Sequence, residues 1–164
     1  MLPKTHIILG FILALILYLI FPKQIGILGA LIILASSVLI DIDHYCYYII
    51  KKKDFSLKNA YPLFYKNMKK FESLSSEERN KTYHPICLFH GFEILLVLFI
   101  LAFFFNFLYL VLIGFFFHLF LDIFNICFRN MSPKCLFSQT YNIINSKNKI
   151  LIWDYKEGKE EKEK

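Results

Sequence analysis

The sequence predicts an all-α integral membrane protein: a bundle of four short transmembrane helices carrying a cytoplasmic-side amphipathic helical insertion. Three observations lead to this. The 164 residues are 57% hydrophobic and 18% aromatic, with a mean hydropathy of +0.49, too apolar for an ordinary soluble surface. The apolar residues, 19 phenylalanines among them, gather into long runs. The net charge of +6 lies outside those runs, so it reads as a membrane-surface signal, and no nucleic-acid partner is expected.

Taken in order, the first span is about residues 7–21. It could pass for a signal peptide, but Phe21-Pro22-Lys23-Gln24 follows it instead of a small-x-small cleavage site, so it reads as a retained helix. The second span is about 25–40, opened by Gly26 and Gly29. Both fall short of the ~20 residues that cross a bilayer, so either polar ends continue these helices or the bundle is thin. From Gly91 to Phe128 the chain is almost uninterrupted apolar sequence. As one helix it would reach roughly 55 Å, nearly twice a ~30 Å hydrocarbon core, so it must fold back. Asn106 is the strongly polar break available, which gives spans of about 85–105 and 107–128.

Between the second and third spans, residues 45–83 form the insertion. Residues 45–53 continue the second helix at the interface, with tyrosines at headgroup level and Lys51, Lys52 and Lys53 among anionic lipid. Residues 56–72 carry Leu57, Tyr61, Phe64, Tyr65, Met68 and Phe71 at helical spacing, with Pro62 early, as in an amphipathic helix lying on a membrane. Ser75-Ser76-Glu77-Glu78 reads as the cap of a further short helix. Residues 1–130 thus make a four-helix transmembrane domain with this insertion, and 131–164 a cytoplasmic tail whose Lys- and Glu-rich end, Lys156 to Lys164, is expected to be solvated and frayed.

Charge fixes the topology. With four spans, of the 19 Lys and Arg residues only Lys23 falls on the side opposite the termini and the insertion. The positive-inside rule makes that richer side cytoplasmic, so the protein is read as a multi-pass cell-membrane protein with both termini in the cytoplasm.

The histidines then fall on one face. His6 starts the first helix, Asp41 and His44 end the second, His90 starts the third, and His118 and Asp122 end the fourth. Ionisable residues at the ends of spanning segments are costly unless they have a use. His118 and Asp122 are four apart, and Asp41 and His44 three apart, so each pair shares a helix face. Asp43 points elsewhere unless the helix unwinds there. Nitrogen and carboxylate donors gathered at one end of a bundle suggest a divalent metal, with zinc the first candidate. The ligands are His6, Asp41, His44, His90, His118 and Asp122. The set exceeds what one tetrahedral ion needs. It fits two ions, or one ion with a general base and a substrate-binding histidine, and Glu93 or Asp43 is the carboxylate that would move protons. Cys46, Cys87, Cys127 and Cys135 form no C-x-x-C pair and read as free thiols packed as small apolar residues.

At these residues the chain resembles the YdjM-type family of membrane-bound, predicted metal-dependent hydrolases. The motifs are Thr5-His6, Asp41-Ile42-Asp43-His44, His84 with His90, and His118-Leu119-Phe120-Leu121-Asp122, over about residues 4 to 125. The family's usual histidine pair is a compact H-R-x-x-T-H-S. Here it is His84-Pro-Ile-Cys-Leu-Phe-His90-Gly-Phe-Glu93, with no arginine and no Thr or Ser beside the second histidine. The resemblance implies a metal-dependent hydrolase. A site at the cytoplasmic interface meets membrane lipid directly, so the expected substrate is an ester or phosphoester of a lipid or other amphiphile. The rival expectation is a non-catalytic metal-binding or metal-handling membrane protein. Against transport, the helix centres are Leu, Ile and Phe, with Ser36-Ser37 the main exception.

Overall fold

The computed structural model describes residues 3–129, 138–147 and 149–155. It is mostly helical. Helix α1 spans Pro3–Ile20 and α2 Pro22–Leu39, with Pro22 in the first turn of α2, where its missing N–H costs nothing. Gly26 sits at φ +59° and interrupts that first stretch. Helix α1 begins among the polar residues before His6, so polar residues do extend the first apolar run. After a break at Ile40 and Asp41, α3 continues over Ile42–Lys52.

Read through that break, Pro22–Lys52 is one of two helical stretches long and apolar enough to cross a membrane, and Leu108–Phe128 is the other. Two shorter apolar helices accompany them, Lys4–Ile20 and Phe92–Ala102. Most large apolar side chains on these helices point outward, including Ile8, Phe11, Leu19, Leu28, Phe99, Phe116 and Phe124. That pattern suits lipid and would be unfavourable in water.

The insertion folds much as its spacing predicts. Lys53, at φ +53°, closes α3. Asp54 then organises the turn into α4 (Leu57–Ser73), accepting hydrogen bonds from the Tyr48 hydroxyl, from Ser56 N at 2.8 Å and from Asn59 Nδ2 at 2.9 Å. Helix α5 (Ser76–Asn80) opens with a complete capping box. Ser75 N donates to Glu78 Oε2 at 2.9 Å, and Glu78 N donates to Ser75 Oγ at 3.3 Å. The strand β1 (Thr82–Tyr83) follows.

One sequence expectation is corrected here. The third span was drawn from 85 to 105, but α6 covers only Phe92–Ala102. Residues 85–91 stay irregular because their polar backbone is satisfied elsewhere: Cys87 N donates to Gln139 Oε1 at 3.2 Å and Phe89 N to Asp43 Oδ2 at 2.9 Å. Chain reversal does occur around Asn106, between α6 and α7 (Leu108–Phe128). In the tail, residues 138–147 and 149–155 pack onto the insertion, with α8 (Gln139–Ser146) and β2 (Ile150–Leu151), and β2 runs parallel to β1. Trp153 sits among Tyr47, Tyr48 and Phe64, at ring-centroid distances of 5.3, 6.5 and 5.8 Å, and Ile152 is fully buried. Cys135 and the Lys- and Glu-rich end from 156 onward lie outside the described residues.

Helices α1 and α7 both pack on α2, and α6 packs on α7. Small residues allow the closest approaches. A Cβ on Gly10 would fall 2.2 Å from Ser37 Oγ, and one on Gly114 would fall 2.7 Å from the Ile33 carbonyl oxygen and 2.9 Å from Ser37 N. Ser36 and Ser37 return their hydroxyls to carbonyls of their own helix, at 2.8 Å to Ile32 O and 2.8 Å to Leu34 O. They serve close packing, which explains the polar pair in the last turn of α2.

Candidate metal centre

The close packing aims the histidines. His6 lies one turn before Gly10 on α1, and His118 one turn after Gly114 on α7, so both rings stand over the C-terminal part of α2. They stack with centroids 3.8 Å apart and planes 13° apart. Asp41 enters at the break between α2 and α3. The same break turns Asp43 inward, and His90 arrives from the irregular segment before α6. Five of the six residues expected to hold a metal, together with Asp43, thus meet at one end of the helices. The sixth, His44, lies beside His90, with ring centroids 4.5 Å apart and planes tilted by 58°.

His6 Nε2 is 3.2 Å from Asp122 Oδ1. His118 Nε2 is 3.3 Å from Asp122 Oδ2 and 3.5 Å from Asp41 Oδ1. His90 Nε2 is 3.2 Å from Asp41 Oδ1 and 4.0 Å from Asp122 Oδ2, while its Nδ1 is 3.2 Å from Asp43. Donor atoms of His6, His118 and Asp122 lie within 4.8 Å of one another, as do those of Asp41, His90 and His118. Such separations suit ligands ~2.0–2.2 Å from a shared ion. His6, His90 and His118 are each 1% exposed or less, so water does not solvate this charge.

The donor set fits a cation by a second criterion. His118 Nδ1 is 2.8 Å from the Ser37 carbonyl oxygen, to which it can only donate. Nε2 is left as the nitrogen that faces the carboxylate oxygens of Asp122 and Asp41, at 3.3 and 3.5 Å, free to take a cation if the ring is neutral. A backbone carbonyl that fixes the tautomer of a ligating histidine is the usual outer support of a metal site.

A cavity of ≈ 470 Å³ opens beside the centre. Asp41, His44 and Asp122 form part of its wall, and Tyr61, Phe64, Tyr65, Met68 and Phe71 of α4 roof it, with Trp153 closing one side. Arg129 and Glu72, paired as an ion pair, also line it. His84 lines the cavity too, its ring 4.2 Å from that of Phe71, and burial lowers its pKa from 6.5 to about 4, which keeps it neutral.

Glu93, read from sequence as a proton carrier, is placed away from the centre. Its carboxylate accepts from Ser138 Oγ at 2.6 Å, Thr140 N at 3.0 Å and Gln139 N at 3.3 Å, at the N-terminus of α8. Sequence reasoning missed Cys87, whose Sγ lies 3.0 Å from His44 Nδ1. Its position between His84 and His90 was the available signal. It also missed Gln139, which donates from Nε2 to the His90 carbonyl oxygen at 2.6 Å and has no local signature.

The family model of the YdjM inner membrane protein matches residues 1–127. The chain belongs to this family. The match takes in every residue of the centre and stops before α8 and β2, so the segment that caps Glu93 and carries Trp153 lies beyond it. Family membership agrees with the two candidate spans in making this an inner membrane protein. No curated protein and no solved structure matches the chain.

Proposed function

We propose that the chain is a metal-dependent hydrolase embedded in the membrane by four helices, with the insertion and both termini in the cytoplasm. Its substrate would be an ester or phosphoester of a lipid or other amphiphile. The observation that supports this best is His118, whose ring, anchored through Nδ1, holds its buried Nε2 between two carboxylates. With the ring neutral, that arrangement is repulsive until a divalent cation sits between them. Zinc fits the mixed nitrogen and oxygen donors. His6, Asp41, His44, His90, His118 and Asp122 are the residues that would hold it, as one ion or two.

A divalent ion there would supply a water ionised near neutral pH and a Lewis acid for the ester oxygen. The chain's own residues do the rest. The Ser37 carbonyl holds the His118 tautomer, and Asp43 orients His90 from behind. Asp41, the most exposed carboxylate of the centre and part of the cavity wall, is better placed than Asp43 or Glu93 to accept the proton of the attacking water. The aromatic cavity under α4 suits an apolar chain, with the scissile bond at Asp41, His44 and Asp122.

The test uses the full chain in detergent, assayed on carboxylic esters and phosphomonoesters of short and long alkyl chains. Turnover is expected to require divalent metal, to favour the long chains, and to vanish in His118→Ala and Asp122→Ala. A protein that binds metal yet turns over none of them would instead be the non-catalytic metal-handling protein.

A further inference from the structure

A second donor group lies next to the first and uses different atoms. Asp43 and His44 at the start of α3, Cys87 in the segment before α6, and His90 offer donor atoms within 4.8 Å of one another. Cys87 Sγ is 3.0 Å from His44 Nδ1, and both Asp43 oxygens are 3.2 Å from His90 Nδ1. His90 thus turns Nδ1 to this group and Nε2 to Asp41. We propose that Asp43, His44, Cys87 and His90 Nδ1 form a second, thiolate-bearing metal site, so that the centre is binuclear with His90 bridging its two halves. The inference rests on reading His6, Asp41, His118 and Asp122 as the first half.

Three features carry it. Asp43 is nine-tenths buried, and both its oxygens face the group, each 3.2 Å from His90 Nδ1. The donors are also selective. Thiolate with imidazole and carboxylate suits zinc or cobalt and disfavours magnesium, calcium and manganese, which take oxygen. The segment is held for the task, since Cys87 N is tied to Gln139 Oε1 and Phe89 N to Asp43 Oδ2. Filling the site releases the Cys87 thiol proton and the ring proton of His90, which then bridges as imidazolate.

Cobalt(II) loading of the full chain in detergent tests this, because a thiolate ligand gives a near-ultraviolet sulfur-to-cobalt charge-transfer band that imidazole and carboxylate do not. The wild-type chain is expected to bind two ions and show the band. Cys87→Ser is expected to lose the band and one ion while keeping the visible cobalt absorption of the first half. Cys46→Ser, at an exposed thiol, is expected to keep all of it. Wild-type protein with one ion and no band would overturn the second site alone, as would a band that survives Cys87→Ser. Wild-type protein with no cobalt absorption would overturn both halves.

Discussion

Replacing Gly114 with alanine should show how far the helix packing governs the metal centre. The added Cβ would fall 2.0 Å from Ser36 Oγ, 2.7 Å from the Ile33 carbonyl oxygen and 2.9 Å from Ser37 N. The Ser36 hydroxyl can turn aside, but the other two are backbone atoms of α2. Relief to an ordinary contact of ~3.5 Å therefore requires α7 to move off α2 by the better part of an ångström. His118 rides on α7 one turn away, and its 2.8 Å bond to the Ser37 carbonyl would stretch past hydrogen-bonding range. Overpacking of this kind costs about 1–3 kcal/mol and the lost buried bond about 0.5–1.5 kcal/mol. Gly114→Ala is therefore expected to lower the thermal midpoint of the detergent-solubilised protein and weaken divalent-metal binding together. Gly10→Ala is the internal control. Its nearest contacts, Ser37 Oγ at 2.2 Å and Cβ at 3.3 Å, are side-chain atoms that can give, so its cost should be smaller. A Gly114→Ala protein with wild-type midpoint and metal affinity, or a Gly10→Ala protein that suffers more, would refute the reasoning.

Two further outcomes follow from the surroundings of the centre. Glu93→Gln weakens three contacts at the N-terminus of α8, so it should lower the unfolding midpoint by an amount corresponding to about 1 kcal/mol while metal content stays at the wild-type level; lost turnover with unchanged stability would return Glu93 to a proton-transfer role. His84 is held neutral by burial, with a pKa of about 4 against 6.5 in the unfolded chain, so the unfolded state binds the extra proton and stability should fall as pH drops from 6.5 towards 4, by up to roughly 3 kcal/mol. Unfolding midpoints across that range should fall less steeply for His84→Leu, and an equal slope in both proteins would place the pH dependence elsewhere.

The centre was legible in the sequence to the extent that its donors obey helical spacing. His118 and Asp122 share a face because they are one turn apart, and the reversal at Asn106 follows from the excess length of a single apolar run. The unwinding at Ile40 and Asp41 was foreseen only as a condition for Asp43 to point inward, and the structure meets that condition. What spacing could not reveal was long-range. The irregular path of residues 85–91 depends on Asp43 and Gln139 accepting its amide protons, and Gln139 lies some fifty residues further along. The short α6 follows from the same cause. The attachment of Trp153 to Tyr47 and Phe64 rests on a β pairing two residues long, below the reach of any periodicity. Cys87 reads as a packed thiol by its apolar neighbours, and only its place between His84 and His90 sets it apart.

The central claim is that four histidines and their carboxylates form a metal centre, and elemental analysis of the purified full-length chain tests it most directly. After zinc loading and removal of free ion, at least one zinc per wild-type chain is expected, falling in both His118→Ala and Asp122→Ala. Wild-type protein that retains no more metal than those variants would contradict the account, and the histidines would then serve only as hydrogen-bonding partners of Asp41, Asp43 and Asp122.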